Sequence, residues 1–281
     1  MTAGPELARQ PAPADPAAVQ AFDHMAPVFD ERFGLWRSVA AQRRAVRRAL
    51  LRTFPPGAYV LELGGGTGED ALALAAAGRR VLLTDGSPAM CDRARAKVAN
   101  ARAEDAVTVR QATLETFESF AGALAAEDQR FDGAFSNFAA LNCVADIGPV
   151  ARGLARLLPR GARALLVVFG PCAPGDMLVE LVRGRPRNLL RRLARGPVPA
   201  RIGGHAFTVR YPGPRRLAAR FAPWFRLRAI HGIGICVPPS GAEPWISGHA
   251  RLLGMLEVLD RVLTRPLALL GDHILLNLER T

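Results

Sequence analysis

The feature that most constrains the fold is a glycine-rich turn between a short apolar segment and a helical one. The apolar residues 59–61 lead to the carboxylate of Glu62, four of the five positions 64–68 are glycine, and a helical pattern begins at Asp70. Glycines let a backbone turn sharply and approach a bulky ligand where a Cβ atom would clash. The free N–H groups at the start of the following helix would point at that ligand. The sequence therefore predicts a strand, a turn and a helix that bind an adenosine-containing cofactor.

Length and composition are those of an ordinary globular protein. A chain of 281 residues is long enough for one large α/β domain, with or without a cap. Hydrophobic residues make up 49% and charged residues 22% of it, which is enough apolar side chain to fill a core. The formal charge of +12 comes almost wholly from arginine, since Lys97 is the only lysine. Because such a bias sets solubility and not a binding site, nucleic-acid binding is disfavoured.

The sequence shows no spacing of residues that would indicate a metal site, a disulfide framework or a targeting segment. The four cysteines form no C-x-x-C pair, so neither a zinc site nor a disulfide framework is expected. The five histidines show no metal-ligand spacing, and any base would be sought first among His24, His205 and His231. The sequence has no signal-peptide pattern and no run of membrane-spanning length. A cytoplasmic protein without a metal is the expectation.

Strand and helix patterns alternate through residues 58–170, which predicts the fold class. Such alternation is typical of an α/β, doubly wound, mostly parallel sheet with helices on both faces. The clearest strand is the apolar run 164–169, and the last strand, 274–278, is expected to be antiparallel. We predict the following parts: a disordered tail (1–18), an N-terminal helical cap (19–57), the cofactor-binding core (58–170) and a C-terminal part that completes the sheet (171–281), with helical lid segments at about 171–204 and 240–270.

The cap and the lid segments each leave alternatives open. In the cap, residues 22–30 carry aromatics that form either a flap over a pocket or an anchor, and the arginines between 43 and 48 are expected on a solvated helix face. The pattern of residues 176–195 predicts two short basic helices broken around Pro186. These helices either form a packed lid or lie peripherally on a membrane surface. A second helical stripe is expected in the lid: Leu252, Met255, Leu256, Leu259, Val262 and Leu263.

Two cofactor motifs compete for the glycine turn. A dinucleotide-binding G-x-G-x-x-G fails from Gly64, because Glu69 occupies the place of the third glycine, but G-x-G-x-x-A can be read from Gly66 to Ala71. The better match is Glu62-x-Gly64-x-Gly66-x-Gly68, which resembles the E/D-x-G-x-G-x-G motif of class I S-adenosylmethionine-dependent methyltransferases. The resemblance continues through Asp85, residues 87–90 and residues 131–137. It is closest to the small-molecule branch that includes quinone-type methyltransferases.

The resemblance implies S-adenosylmethionine as the cofactor and a role for each matching residue. Glu62 would meet the methionine ammonium, and Asp85 would accept hydrogen bonds from both ribose hydroxyls. No aspartate stands at 111–114 for the adenine amino group, which many relatives have there. The implied cofactor-binding residues are Glu62, Gly64, Gly65, Gly66, Gly68, Asp85, Gly86, Ser87, Met90, Thr113, Leu114 and Asn137.

The acceptor is expected near residues 136–143, and no catalytic residue is assigned. The chain lacks the N-P-P-Y/F motif there, which argues against methylation of a base nitrogen. Asn142 would either orient an acceptor or cap a helix, and Cys143 is expected in the core. The favoured function is methyl transfer to a small apolar or anionic molecule. An NAD(P)-dependent oxidoreductase and a non-catalytic S-adenosylmethionine-binding protein stay open, as does the oligomeric state.

Overall fold

The computed structural model describes residues 16–138 and 140–281. The tail expected over residues 1–18 therefore lies almost wholly outside the described residues, and the first helix already begins at Ala17.

A seven-stranded sheet forms the centre of the molecule, in the order β3-β2-β1-β4-β5-β9-β8. Its first five strands pair in parallel, whereas β9 is antiparallel to both of its neighbours. The predicted doubly wound fold with an antiparallel last strand is thereby confirmed. The strands, with those of a separate hairpin, are β1 (Tyr59–Leu63), β2 (Arg80–Asp85), β3 (Val107–Gln111), β4 (Gly133–Ser136), β5 (Arg163–Phe169), β6 (Val198–Ile202), β7 (His205–Val209), β8 (Phe225–Ile233) and β9 (His273–Arg280).

Helices cover both faces of the sheet, because its strands are apolar on both sides. Along β5, Leu166 packs on one face with α5, α6 and α8, and Leu165 packs on the other with α2, α3 and α4. The helices are α1 (Ala17–Gly34), α2 (Arg37–Thr53), α3 (Glu69–Ala76), α4 (Pro88–Asn100), α5 (Phe117–Ala126), α6 (Gly148–Leu157), α7 (Pro174–Val182), α8 (Pro214–Phe221) and α9 (Ala250–Leu263).

The structure differs from the sequence-based expectation in several elements. The predicted second basic helix after Pro186 is instead a pair of 3₁₀ turns, Pro186–Asn188 and Arg191–Leu193. Helix α5 was not expected, although Phe117, Ala121 and Leu124 are buried at helical spacing. Strand β6 was not expected either. Its alternate residues are exposed, and β7 is its partner in the hairpin.

The β6–β7 hairpin closes over the N-terminal helix. Its turn is Gly203-Gly204, with φ values of +54° and +87°, which suits a tight two-residue hairpin turn. The ring of Phe207 in β7 lies 5.8 Å from that of Phe22 in α1. Helix α1 and the hairpin thus form one cover over the carboxyl edge of the parallel strands.

Most of the apolar stripe predicted on α9 faces outward, although Leu256 packs beside Leu253. Met255 is 66% and Val262 70% exposed, while the helix buries Leu253 and Asp260 instead. The Asp260 carboxylate accepts the Cys236 amide at 2.5 Å, so the contact with the domain is partly polar. Periodicity shows which residues share a helix face and not which face is covered. Apolar side chains of the 176–195 segment are also exposed: Leu178, Leu181, Val182, Leu190 and Leu193.

Within the described residues, no helix combines the length and the apolar character that a membrane crossing requires.

The close approach of β5 to the segment before β9 gives a stability prediction. A Cβ atom at Gly170 would collide with the backbone carbonyl of Gly271. Because backbone cannot move aside cheaply, Gly170→Ala is expected to destabilise the fold by about 3 kcal/mol or more in urea unfolding.

The matched control is Gly254→Ala within α9. No atom lies within 4 Å of a Cβ placed there. This replacement is expected to stabilise the protein by about 0.5–1 kcal/mol, because alanine favours helix over glycine. Equal effects of the two substitutions would contradict the described packing.

Candidate functional site

A cavity of about 350 Å³ lies at the carboxyl edge of the parallel strands. The glycine turn after β1, the ends of β2 and β5 and the loop after β4 supply its floor, and α1 and the hairpin supply its cover. The predicted cofactor residues that line it are Glu62, Gly64, Gly65, Gly66, Asp85, Gly86, Met90, Thr113, Leu114 and Asn137.

The glycine turn is held to the end of β2 through Asp85. The Gly66 amide donates to Asp85 Oδ2 at 2.8 Å, and the Ser87 amide donates to Asp85 Oδ1 at 2.9 Å. Gly64 has a φ of +65°, and a Cβ atom there would collide with that of Ala140. The turn therefore needs glycine both for its backbone angle and for the closeness of the loop after β4.

Glu62 brings an unpartnered carboxylate to the cavity. The residue is only 2% exposed, and its Oε2 atom has no hydrogen-bond partner. Burial, together with the nearby charge of Asp70, raises the pKa of Glu62 well above its ordinary value. A cation in the cavity would reverse this penalty, because it favours the charged carboxylate. The site thus fits the ammonium group of S-adenosylmethionine.

Arginines of α2 reach into the site, contrary to the expectation of a wholly solvated face. Arg47 Nε donates to Asp70 Oδ1 at 2.6 Å, and Asn137 Nδ2 donates to the other carboxylate oxygen at 2.7 Å. Arg43 lines the cavity with its guanidinium 5.0 Å from the centre of the Phe138 ring. Its side chain is 18% exposed and lies 3.8 Å from Asp70 Oδ2. The sequence carries no signal for this role, because all four arginines look alike along the helix.

Two predicted cofactor residues do not line the cavity. Gly68 has a φ of +84° and precedes the first residue of α3, so it shapes the turn from behind. Ser87 caps α4: its Oγ accepts the Met90 amide at 3.0 Å and donates to Asp23 of α1 at 2.7 Å. Both support the lining residues, and the roles of all twelve stay predictions.

The remaining walls are mostly aromatic and apolar, with Glu115 and Arg191 as charged members. They come from outside the glycine turn, and the sequence analysis did not place them together: Phe22, Phe29, Phe138, Ala140, Cys143, Val144, Phe169, Ala200, Phe207, Val209 and Tyr211. Phe138 holds a φ of +47°, which a bulky side chain rarely adopts. Such strain clusters at ligand-binding loops.

Asn142 and Cys143 take different places from those considered. Asn142 is fully buried, donates to the Arg210 carbonyl at 2.6 Å and accepts the Phe169 amide at 3.0 Å, so it ties two walls together. Cys143 was expected in the core but lines the cavity. Burial raises the pKa of its thiol to about 12, which keeps it protonated at neutral pH.

A buried arginine fixes the wall that the chain after β5 supplies. Arg192 binds Asp272 at 2.6 Å and Asp176 at 3.0 Å, and its guanidinium lies 5.3 Å from the centre of the Phe169 ring. Although burial opposes ionisation, His273 and Arg192 hold the pKa of Asp272 well below its usual range. The 171–211 segment is therefore attached to the start of β9 by paired charges.

The histidines considered as bases lie away from the cavity. His24 and His205 are exposed and stack on one another at 4.0 Å, joining α1 to the hairpin. His231 lies on β8, where burial and then Arg265 and Arg52 lower its pKa. Over residues 16–138 and 140–281, no group of three or more His, Cys, Asp or Glu side chains is placed to hold a metal ion.

The unpartnered Glu62 gives a prediction about stability and pH. The folded protein holds the Glu62 proton more tightly than the unfolded chain. Between the ordinary glutamate pKa and the raised one, wild-type stability should therefore fall by up to about 1.4 kcal/mol per pH unit as the pH rises.

Glu62→Gln removes this titration. The free energy of unfolding of the variant, relative to that of the wild type, should therefore rise with pH, as measured by urea unfolding over a pH series. Glu104→Gln, at an exposed glutamate outside the cavity, serves as the control and should follow the wild type. Parallel curves for Glu62→Gln and wild type would contradict a buried, unpaired carboxylate.

Comparisons with known proteins agree with this site. Residues 60–161 match the family model described as a methyltransferase domain. The match covers β1 through the turn before β5, and so includes the glycine turn and Asp85. A comparison with curated protein sequences gives no match.

Solved structures share the fold at low sequence identity. An S-adenosylmethionine-dependent methyltransferase from Mesorhizobium loti is 20% identical, with a TM-score of 0.52 over 85% of this chain and 98% of that one. The CcbJ methyltransferase from Streptomyces caelestis is 18% identical, with a TM-score of 0.58 over 93% and 98%. The [4+2]-cyclase SpnF is 14% identical, with a TM-score of 0.59 over 96% and 98%. Because a cyclase shares it, this fold alone does not establish the reaction.

The family model supplies what the fold leaves open, since it covers the segment that carries the cofactor motif. The narrower resemblance to quinone-type methyltransferases is not confirmed. Residues 60–161 thus carry a methyltransferase domain, and the sheet order and the cavity built on the glycine turn agree with the fold of class I S-adenosylmethionine-dependent methyltransferases.

Proposed function

We propose that this enzyme transfers a methyl group to a small, largely apolar molecule held in the cavity. The observation that carries the proposal is the apolar and aromatic character of the walls outside the glycine turn. Phe138 and Cys143 follow β4, Phe169 ends β5, and Phe207 and Val209 belong to the hairpin. Walls of this kind bind apolar ligands and exclude water.

Within this proposal, the glycine turn and its neighbours hold the cofactor. Glu62 binds the ammonium group, and Asp85 accepts from the ribose hydroxyls through the lone pairs left over by the Gly66 and Ser87 amides. Gly86, Met90, Thr113 and Leu114 flank the adenine, and Asn137 lies beside the methionine portion.

Arg43 is added to the predicted set as the residue that binds the cofactor carboxylate. Its guanidinium lines the same cavity as Glu62, and the charges of the two residues interact. An ammonium and a carboxylate on one carbon atom need a negative and a positive partner side by side. Glu62 and Arg43 provide that pair.

When bound, the cofactor supplies an activated methyl group on a sulfonium. The chain's own residues then orient the acceptor and keep water out, and positioning of this kind supplies about 7–11 kcal/mol of a barrier. Burial raises the pKa values of both Cys143 and Tyr211, so both stay protonated at neutral pH and neither can accept a proton from the acceptor. Within the described residues no histidine lines the cavity. The proposal therefore assigns catalysis to positioning rather than to a strong base.

The proposed function predicts labelled small-molecule product. Purified protein, incubated with methyl-labelled S-adenosylmethionine and a small-molecule extract, should form such product, identified by mass spectrometry. Asp85→Ala should weaken cofactor binding at least about 10-fold in calorimetry, since it removes charged hydrogen bonds. Asp105→Ala, at an exposed aspartate outside the cavity, should bind as the wild type does. Tight NAD(P) binding without S-adenosylmethionine binding would overturn the proposal.

The role of Arg43 predicts a selective loss of affinity. Arg43→Met should weaken binding of S-adenosylhomocysteine about 10- to 100-fold, the effect of losing a charged hydrogen bond. It should leave unchanged the binding of 5′-methylthioadenosine, which has no carboxylate. Arg44→Met is the matched control, because the neighbouring Arg44 pairs with Glu257 on α9 at 2.5 Å. Equal losses for both ligands would show that Arg43 acts on the fold and not on the carboxylate.

A further inference from the structure

A second cavity of about 390 Å³ adjoins the first. Val144 and Tyr211 line both cavities. The second is formed by the loop after β4, by the segment after Arg192 and by the start of α8. The Tyr211 ring, at the edge shared by the two, packs 5.6 Å from the Phe169 ring and 6.0 Å from the Arg192 guanidinium.

Nearly all of the charged residues that line the second cavity are arginines. Those beyond Arg192 are Arg195, Arg210, Arg216 and Arg220, and Asp146 is the one acid among the lining residues. Arg192 is already neutralised by Asp176 and Asp272. The side chains of the other four make no ion pair with any carboxylate in the part of the chain that the structure describes.

Some exposed arginines outside the cavity meet a carboxylate, as Arg110 meets Glu127 at 2.9 Å and Arg152 meets Glu118 at 2.8 Å, and others, such as Arg160, make no ion pair within the described residues. What distinguishes the cavity is that four unpaired arginines line one concave site. Four unpaired guanidinium groups around one concave site repel one another. A bound anion would relieve that repulsion.

Helix α8 adds to the positive potential. Its first intrahelical hydrogen bond runs from the Leu217 amide to the Gly213 carbonyl, and no side chain caps it. Gly213 and Arg216 both line the cavity. Since Pro214 at the start of the helix has no N–H, the amides of Arg215 and Arg216 are the ones left free to meet an anion beside the arginines.

We propose that the acceptor carries an oxyanion, a phosphate or a carboxylate, that binds Arg210 and Arg216 in the second cavity. Its apolar part then occupies the first cavity, on the other side of Tyr211. This inference rests on the proposed function, because it places the acceptor in the first cavity. It defines the substrate class as an apolar molecule with an anionic end.

The second cavity is small and its lining is partly apolar, which favours a small molecule over a nucleic acid. Leu141, Ile147 and Leu217 line it together with the arginines. Guanidinium groups bind phosphate and carboxylate through paired hydrogen bonds. The lining thus suits the end group of a small amphiphile.

The test uses the full chain saturated with S-adenosylhomocysteine and three probes of one chain length: hexyl phosphate, hexanoate and hexanol. Calorimetry should show that one or both anions bind at least about 10-fold more tightly than the alcohol. Their affinity should fall as salt is added, because exposed charges are screened. Preference for phosphate or for carboxylate would identify the end group.

The variants are Arg210→Gln and Arg216→Gln, which should each weaken anion binding about 10-fold and leave hexanol unchanged. Arg160→Gln, at an exposed arginine outside both cavities, is the control. Affinity for S-adenosylhomocysteine should stay at the wild-type value in all three, which also shows that each variant is folded.

If the wild type binds the two anions no more tightly than hexanol, the inference is overturned, whatever the variants show. An equal loss in Arg160→Gln would do so as well. Because cofactor binding and labelled product are measured separately, either failure would leave the proposed methyl transfer standing.

Discussion

Parallel pairing of the first five strands is the constraint on which the site depends. It brings the carboxyl ends of β1, β2, β4 and β5 to one edge, and so places Glu62, Asp85, Asn137 and Phe169 around one cavity. Each of these four strands is buried on both faces by helices, so its register is fixed by packing. The residues at these strand ends thus stand on the packed core of the molecule.

The site is built at some cost to stability. Glu62 is buried with an unpartnered oxygen, and Phe138 holds a backbone angle that disfavours a bulky residue. In the wall after β5, by contrast, the buried charges of Arg192, Asp176 and Asp272 are paired with one another. A polar group without a protein partner stands where a ligand can bind it. Paired charges stand where the chain must hold the cavity wall in place.

The two cavities differ in the chemistry of the residues that line them. The first joins the glycine turn to aromatic walls, and the second presents arginines without carboxylate partners. Tyr211, in contact with both, marks the boundary at which an apolar chain would meet its anionic end. The cover of the first cavity comes from α1 and the β6–β7 hairpin, which lie outside the matching methyltransferase domain. Variation in these segments can change the acceptor while the cofactor site is kept.

The sequence by itself determined the parallel sheet, the glycine turn and most of the residues that line the cavity around that turn, because strand periodicity, glycine conformation and a strand-end carboxylate are local properties. It missed the place of Arg43 in the cavity, because its neighbours on α2 look the same, and the hairpin strand β6, whose sheet partner is β7. It also placed the α9 stripe in a lid, whereas Met255 and Val262 are exposed. Tertiary structure decided these points, because the direction of a side chain depends on which elements pack beside it, and a local pattern does not contain that information.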